Sequence, residues 1–300
     1  MMMIATGIAG RRCYWDRGHP VRVLEPLRLQ KRRGQDVRGP SNTIYTRFAA
    51  AMLTIVGLAA IGTMPAAAGD LAQREILGFS EDGGRFAFEE HGVYDASGYP
   101  YASIYVVDTQ TDQWVAGTPI RIQLEQEGAS QEVARAKAAK AAGPFLKGIK
   151  PRGFLLASNP PTETSADPHL IRFRNNPAVP PHETGMSSEY ELRLDEVPGG
   201  ENKYVDGDLK GFRLVLKQIA ASAGVSVPGY ELTLHEDKTL PAPRERAFGY
   251  RITDVLLYRK TLVVLVLTNS YGFETPDGRY MAVTRRCDAS DDARLECREQ

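Results

Sequence analysis

The sequence predicts a mainly β protein: antiparallel sheets, as a sandwich or a partial propeller-like array, with one peripheral α-helix. Three observations carry this. Short runs alternating apolar and polar residues recur between Gly-, Asp- and Pro-rich turns from Leu71 to Val283. Only Gln131 to about Ala142 has the Ala/Lys/Arg/Glu composition of a helix. An uncharged apolar run from Phe48 to Gly62 sets all of this apart from a basic N-terminal stretch.

That run reads as the core of a signal peptide spanning 44–68. Arg47 precedes it, and Pro65 and Ala66-Ala67-Ala68 follow it, small residues of the kind a signal peptidase accepts before Gly69. The expected cut lies between Ala68 and Gly69. The alternative is an uncleaved inner-membrane anchor through 48–64, but the run is short for a span of ~20 residues, and Gly57 and Gly62 weaken it. After cleavage no stable membrane span would remain, and the expected location is periplasmic or secreted. Residues 1–43 are Arg-, Gly- and Pro-rich without periodicity, and either come from a start codon placed too far upstream or form a disordered tail. Arg11-Arg12 and Arg32-Arg33 stand too far from the apolar run to act as a twin-arginine signal.

The zero formal charge of the whole chain hides a split. Ten of the 37 basic but only three of the 37 acidic side chains precede residue 48, so 69–300 keeps 27 and 34, a net charge of −7. An acidic domain without a basic stripe is poorly suited to gripping phosphate backbones, and nucleic acid is excluded as a partner. Cleavage would remove Cys13 and leave Cys287 and Cys297 as one pair, which an oxidising compartment favours as a disulfide. Neither has the Cys/His company of a zinc site.

In the mature chain, Glu75–Phe79 and Arg85–Glu89 flank the turn Ser80-Glu-Asp-Gly-Gly84, with Phe86 and Phe88 on one face. Tyr101–Asp108, Trp114-Val115 and Pro119–Leu124 continue an antiparallel meander. Ser130 caps the helix, which Gly143-Pro144 is expected to end; with Val133 its only large apolar residue, it belongs on a surface. Six prolines make 157–188 an irregular segment. Strands resume at Ser188–Leu194, Gly211–Leu216, Tyr230–Leu234, Tyr250–Tyr258 and Thr261–Thr268, the last apolar enough to lie centrally with both faces buried.

One pattern occurs twice. Phe86–Glu90 leads through His91-Gly-Val-Tyr-Asp-Ala-Ser-Gly98 into Tyr101–Val107. Val264–Thr268 leads through Asn269-Ser-Tyr-Gly-Phe-Glu-Thr-Pro-Asp-Gly278 into Arg279–Val283. Two such hairpins, in one sheet or on facing sheets, would set their loops at one edge.

Chemistry-bearing motifs are sparse. Gly224-Val-Ser-Val-Pro228 lacks the second glycine of a nucleophile elbow, and there is no Gly-rich phosphate loop, dinucleotide fingerprint or His-Glu-x-x-His. No catalytic residue, metal or cofactor is implied. The densest polar cluster is Glu89, Glu90, His91, Tyr94 and Asp95, plainly read as a solvated hairpin loop. The binding candidates are Glu90, His91, Tyr94, Asp95 and Tyr99, with Tyr271 and Glu274 in the second loop. Aromatic loops suit recognition of an envelope protein or small ligand, so a non-enzymatic binding or envelope-associated module is expected. The alternative is a hydrolase or metal-dependent enzyme built on Glu90, His91 and Asp95.

Gly78-Phe-Ser-Glu-Asp-Gly-Gly-Arg-Phe-Ala-Phe-Glu-Glu-His-Gly-Val-Tyr-Asp-Ala-Ser-Gly98 running on to Asp108, with Asn269-Ser-Tyr-Gly-Phe-Glu274 and Arg279-Tyr-Met-Ala-Val-Thr284, resembles a family of secreted Gram-negative proteins defined by a domain of unknown function. That resemblance implies export and brings no activity. Phe79–Phe88 followed by Ile104-Tyr-Val-Val-Asp108 is also similar to a blade unit of TolB-like β-propellers, with Glu81 at the usual proline.

Overall fold

The computed structural model describes residues 70–297 apart from 127, 177, 179, 181–182, 184–186, 202–206, 221–229, 242–243, 245, 273–274 and 290–294. The expected signal segment, its Ala68–Gly69 junction, the 1–43 extension and Glu274 lie outside the described residues.

The fold is mostly β, with fourteen strands among the described residues in three antiparallel sheets and one helix. The first sheet orders β1 (Gln73–Phe79), β2 (Arg85–Val93), β3 (Pro100–Asp108) and β4 (Gln113–Trp114), the meander read from the sequence; β5 (Ile120–Gln123) shares the edge of β3 with β4. The second sheet runs β10 (Glu231–Glu236), β9 (Asp208–Ala220), β8 (Glu189–Glu201), β7 (Leu170–Arg174). The third runs β14 (Leu295–Cys297), β13 (Asp277–Ala289), β12 (Thr261–Ser270), β11 (Ala247–Tyr258), β6 (Phe154–Ser158).

Period-two alternation stacks these sheets. On β12, Leu262, Val264 and Val266 face a core shared with the second sheet's Leu192, Phe212 and Leu214, whereas Val263, Leu265 and Leu267 face Phe86, Phe88 and Tyr105 of the first. The third sheet is therefore the middle layer, and β12 is buried on both faces as its unbroken Val/Leu run foretold. The outer face of the first sheet carries α1 (Gln131–Leu146), whose Ala134, Ala138 and Ala142 pack on Ala87, Ala102, Ile104 and Val106. Small residues four apart let this otherwise polar helix lie close to the sheet.

Polar ties lock the first sheet to the third. Arg74 pairs with Asp254, which also accepts from Ser158 at 2.8 Å. Asp112 accepts from the Thr284 N–H at 2.7 Å and its hydroxyl at 2.8 Å. The Gly83 carbonyl accepts from the hydroxyls of Thr109 at 2.7 Å and Thr261 at 3.0 Å. Layers facing each other in this way are a sandwich; the sheets are not radial blades, and the propeller likeness of the Ser80–Gly84 turn ends at the hairpin it makes.

Two elements depart from the sequence reading. The helix does not stop at Gly143-Pro144 but runs to Leu146. Phe145 and Leu146 join the packed face, and the Arg85 guanidinium donates to the Phe145 and Lys147 carbonyls, both at 3.2 Å. Pro144 and Lys140 are exposed, so the hydrogen bond that proline removes falls on the water side. The Pro-rich 157–188 segment is interrupted by β7, whose Ile171 and Phe173 fill the second-sheet core.

Cys287 and Cys297 form the expected disulfide. They are directly opposed partners on β13 and β14, and both are buried in the core between the second and third sheets.

Candidate functional site

The two similar hairpins prove to be β2–β3 and β12–β13, on facing sheets, with their loops at one end. Antiparallel β1 brings Gln73 opposite His91, and Leu71 bridges to Gly278 just ahead of it. The Ala72 N–H donates to the Gly278 carbonyl at 3.0 Å, and the Gly278 N–H to the Asp70 carbonyl at 2.9 Å.

Arg279, the next residue on β13, joins the loops. Its guanidinium donates to the Asp70 carbonyl at 2.6 Å and pairs with the Asp70 carboxylate. It lies 4.9 Å from the centre of the Tyr101 ring and 5.6 Å from that of Tyr94, two rings stacked at 4.3 Å. The Tyr101 hydroxyl donates to Asp70 at 3.0 Å. A cation between a carboxylate and two aromatic faces contributes ~1–2 kcal/mol per ring where water is excluded. Gly92 makes room: a Cβ there would stand 2.8 Å from the Tyr101 hydroxyl.

Glu90 lies deeper, 1% exposed, between the first and third sheets. It accepts from the Tyr105 hydroxyl at 2.9 Å and from the Tyr280 N–H. Burial pushes its carboxyl up to about 7, against the pull of those two hydrogen bonds and of Arg279 and Arg121. Burial also raises the phenols of Tyr101 and Tyr105. From Tyr105 a polar thread reaches the surface: Arg121 lies 5.9 Å above its ring and 5.6 Å above that of Trp114, which is 45% exposed.

The structure does not bring Glu90, His91 and Asp95 together. Strand alternation sends His91 to the opposite face of β2, the α1 side, where Arg135 bridges Glu89 (2.9 and 2.7 Å) and Glu75. Burial, then the charge of Arg135, holds the His91 imidazole below its ordinary value, and its Nδ1 has no partner among the described residues. Asp95 is exposed beyond the strand and accepts the Ala96 N–H at 2.7 Å. Tyr99 is half-buried, its carbonyl accepting from the Tyr94 N–H at 3.1 Å. Tyr271 packs instead on Phe248, the two rings tilted with their centres 4.6 Å apart. Of the expected residues, Tyr94, Asp95 and Tyr99 thus share the joined edge, with Glu90 beneath it.

Sequence reasoning missed Asp70 and Arg279, the pair that makes the edge. Asp277, half-buried beside them, has its carboxyl raised by burial, with Asp70 and Asp95 near enough to add to the rise. Among the described residues, no three His, Cys, Asp or Glu side chains are grouped to hold a metal ion.

A layered antiparallel domain with a cross-strand disulfide and an arginine-stacked loop edge is the class of protein these observations define. The chain belongs to the family described as "Predicted secreted protein (DUF2259)", which matches residues 87–286. No curated protein and no solved structure matches it. The family description agrees with the export reading, and among the described residues no helix is long and apolar enough to cross a membrane.

Proposed function

We propose that this secreted protein is a non-enzymatic binding module of the cell envelope, exported by cleavage between Ala68 and Gly69, whose recognition edge is built from the β2–β3 and β12–β13 loops. The observation that carries the reading is the Arg279 bridge. It fixes Tyr94 against Tyr101 and Asp70, so that exposed Asp95 and Ser97 and half-buried Tyr99 sit on a rigid base. Rigid aromatic and small polar residues lose little conformational entropy on binding. The divergence of Glu90, His91 and Asp95 to two sheet faces and to solvent counts against an enzyme built on those three.

Photo-crosslinking in the envelope tests the edge. A crosslinking residue at position 95 is expected to give a discrete adduct that Tyr99→Ser reduces several-fold, while one at exposed position 140 on α1 gives none. No adduct from position 95, or equal adducts from both positions, overturns the reading. N-terminal sequencing of the exported protein tests the junction: it is expected to begin at Gly69.

A further inference from the structure

At the opposite end of β2 lies a second site of different chemistry. The β1–β2 turn, the segment following α1 and the β11–β12 turn enclose an open cleft of about 610 Å³. Four cations line it: Arg85, Lys150, Arg152 and Arg259. None of them forms an ion pair among the described residues. Two acidic side chains, Glu81 and Asp82, share the lining. Asp82 is already engaged by the Ser80 hydroxyl at 2.6 Å and the Gly84 N–H at 3.0 Å. The balance is two positive charges in a mature domain that is otherwise acidic.

The three guanidinium groups are held by contacts, and Lys150 is fixed through its backbone. Phe79 and Lys150 exchange backbone hydrogen bonds of 3.0 and 3.1 Å, which fixes the segment after α1 against the end of β1. Only glycine permits that approach: Gly78 has φ of 115°, and a Cβ on it would stand 1.8 Å from the Lys150 carbonyl oxygen. Arg85 spends its donors on the last carbonyls of α1, covering the partial negative charge that a helix C-terminus would otherwise turn toward an anion. Arg152 donates to the Phe79 carbonyl at 3.4 Å, and Arg259 lies 5.7 Å from the centre of the Tyr258 ring. Neutral carbonyls and a ring orient these guanidinium groups without cancelling their charge.

We infer that this cleft binds a small dianion of the phosphate-monoester class, with Lys150, Arg152 and Arg259 contacting its oxygens. A dianion matches the local excess of two charges, and guanidinium and ammonium donors around an open rim suit three phosphate oxygens. The nine residues of β2 separate this site from the Tyr94 edge by about 30 Å, so neither depends on the other.

Isothermal titration of the purified mature protein with glycerol phosphate, and co-sedimentation with phosphatidic acid vesicles against phosphatidylcholine vesicles, separate the free ester from a lipid headgroup. Saturable binding in either arm, weakened tenfold or more by Lys150→Gln/Arg152→Gln and by Arg259→Gln, supports the inference and names the source. Arg259→Gln lies on an exposed turn and is expected to leave thermal unfolding unchanged, so loss of binding there is not loss of fold. Tyr99→Ser should leave phosphate binding intact even if the loop edge proves inert. Absence of binding in both arms, or equal binding by wild type and variants, overturns the inference.

Discussion

Glu90→Gln is the substitution that tests the stacking of the first sheet on the third. The wild-type carboxyl is raised from 4.5 to about 7 because folding removes it from water, and the Tyr280 and Tyr105 hydrogen bonds and the nearby Arg279 and Arg121 recover only part of that cost. An acid with a raised folded value stabilises the native state while protonated. Its contribution is fully present below the unfolded value of 4.5 and is lost as pH rises through about 7. A shift of roughly 2–3 units corresponds to ~3–4 kcal/mol, of which about 2–3 kcal/mol should disappear between about pH 5 and about pH 8. Urea unfolding followed by Trp114 fluorescence measures this, because Trp114 is the single tryptophan of residues 69–300 and lies 5.9 Å from the Tyr105 ring that touches Glu90. His91 titrates with the opposite sign: its lowered folded value removes stability as pH falls through 6.5. The comparison is therefore made in a His91→Gln background. Subtracting the Glu90→Gln curve should leave a stability difference that declines steadily across the range. Parallel curves for His91→Gln with and without Glu90→Gln would refute the reasoning.

Other expectations follow from individual contacts. Reducing the Cys287–Cys297 bridge, or replacing Cys297 by Ser, should cost ~3 kcal/mol in urea unfolding through the released small loop, and the untreated mature protein should show no free thiol under denaturing conditions. Gly78→Ala should lower the melting temperature sharply, since the new methyl meets backbone at Lys150, whereas Gly98→Ala, with open space around it and only a strained φ of 67°, should cost about 1 kcal/mol. Asp70→Asn should destabilise by roughly 1–3 kcal/mol, and a double-mutant cycle with Arg279→Met should return a coupling of at least about 1 kcal/mol. Additive effects would show that the two side chains do not act together.

The layering was legible where a strand's own pattern decided it. The unbroken Val/Leu run of Thr261–Thr268 told of two buried faces, and Phe86 with Phe88 told of one. The repeated strand–loop–strand pattern left open whether its two loops share a surface, and the contacts of Asp70 with Gly278 and Arg279 bring them to one end. What escaped was set by distant partners. Pro144 reads as a stop until Arg85, 59 residues earlier, caps the carbonyls beyond it. Strand β7 is a five-residue run among prolines, and β14 is a three-residue strand held opposite β13 by its cysteine. Glu90, His91 and Asp95 look like a constellation in one dimension. The period of two, applied to Arg85–Val93, already separates the first two. No local pattern joins Asp70 to Arg279, because they lie 209 positions apart.

The burial of Asp70 sets a condition on how the chain is trimmed. At 4% exposure, the second residue of a chain cut after Ala68 is already part of the folded interior, with its carboxylate between an arginine and a phenol. A peptidase acting two residues further along would deliver a complete-looking domain with a guanidinium stranded among rings and a loop edge lacking its anchor. If the cut falls after Ala68 as proposed, the position of that cut decides whether the first side chain of the fold is kept.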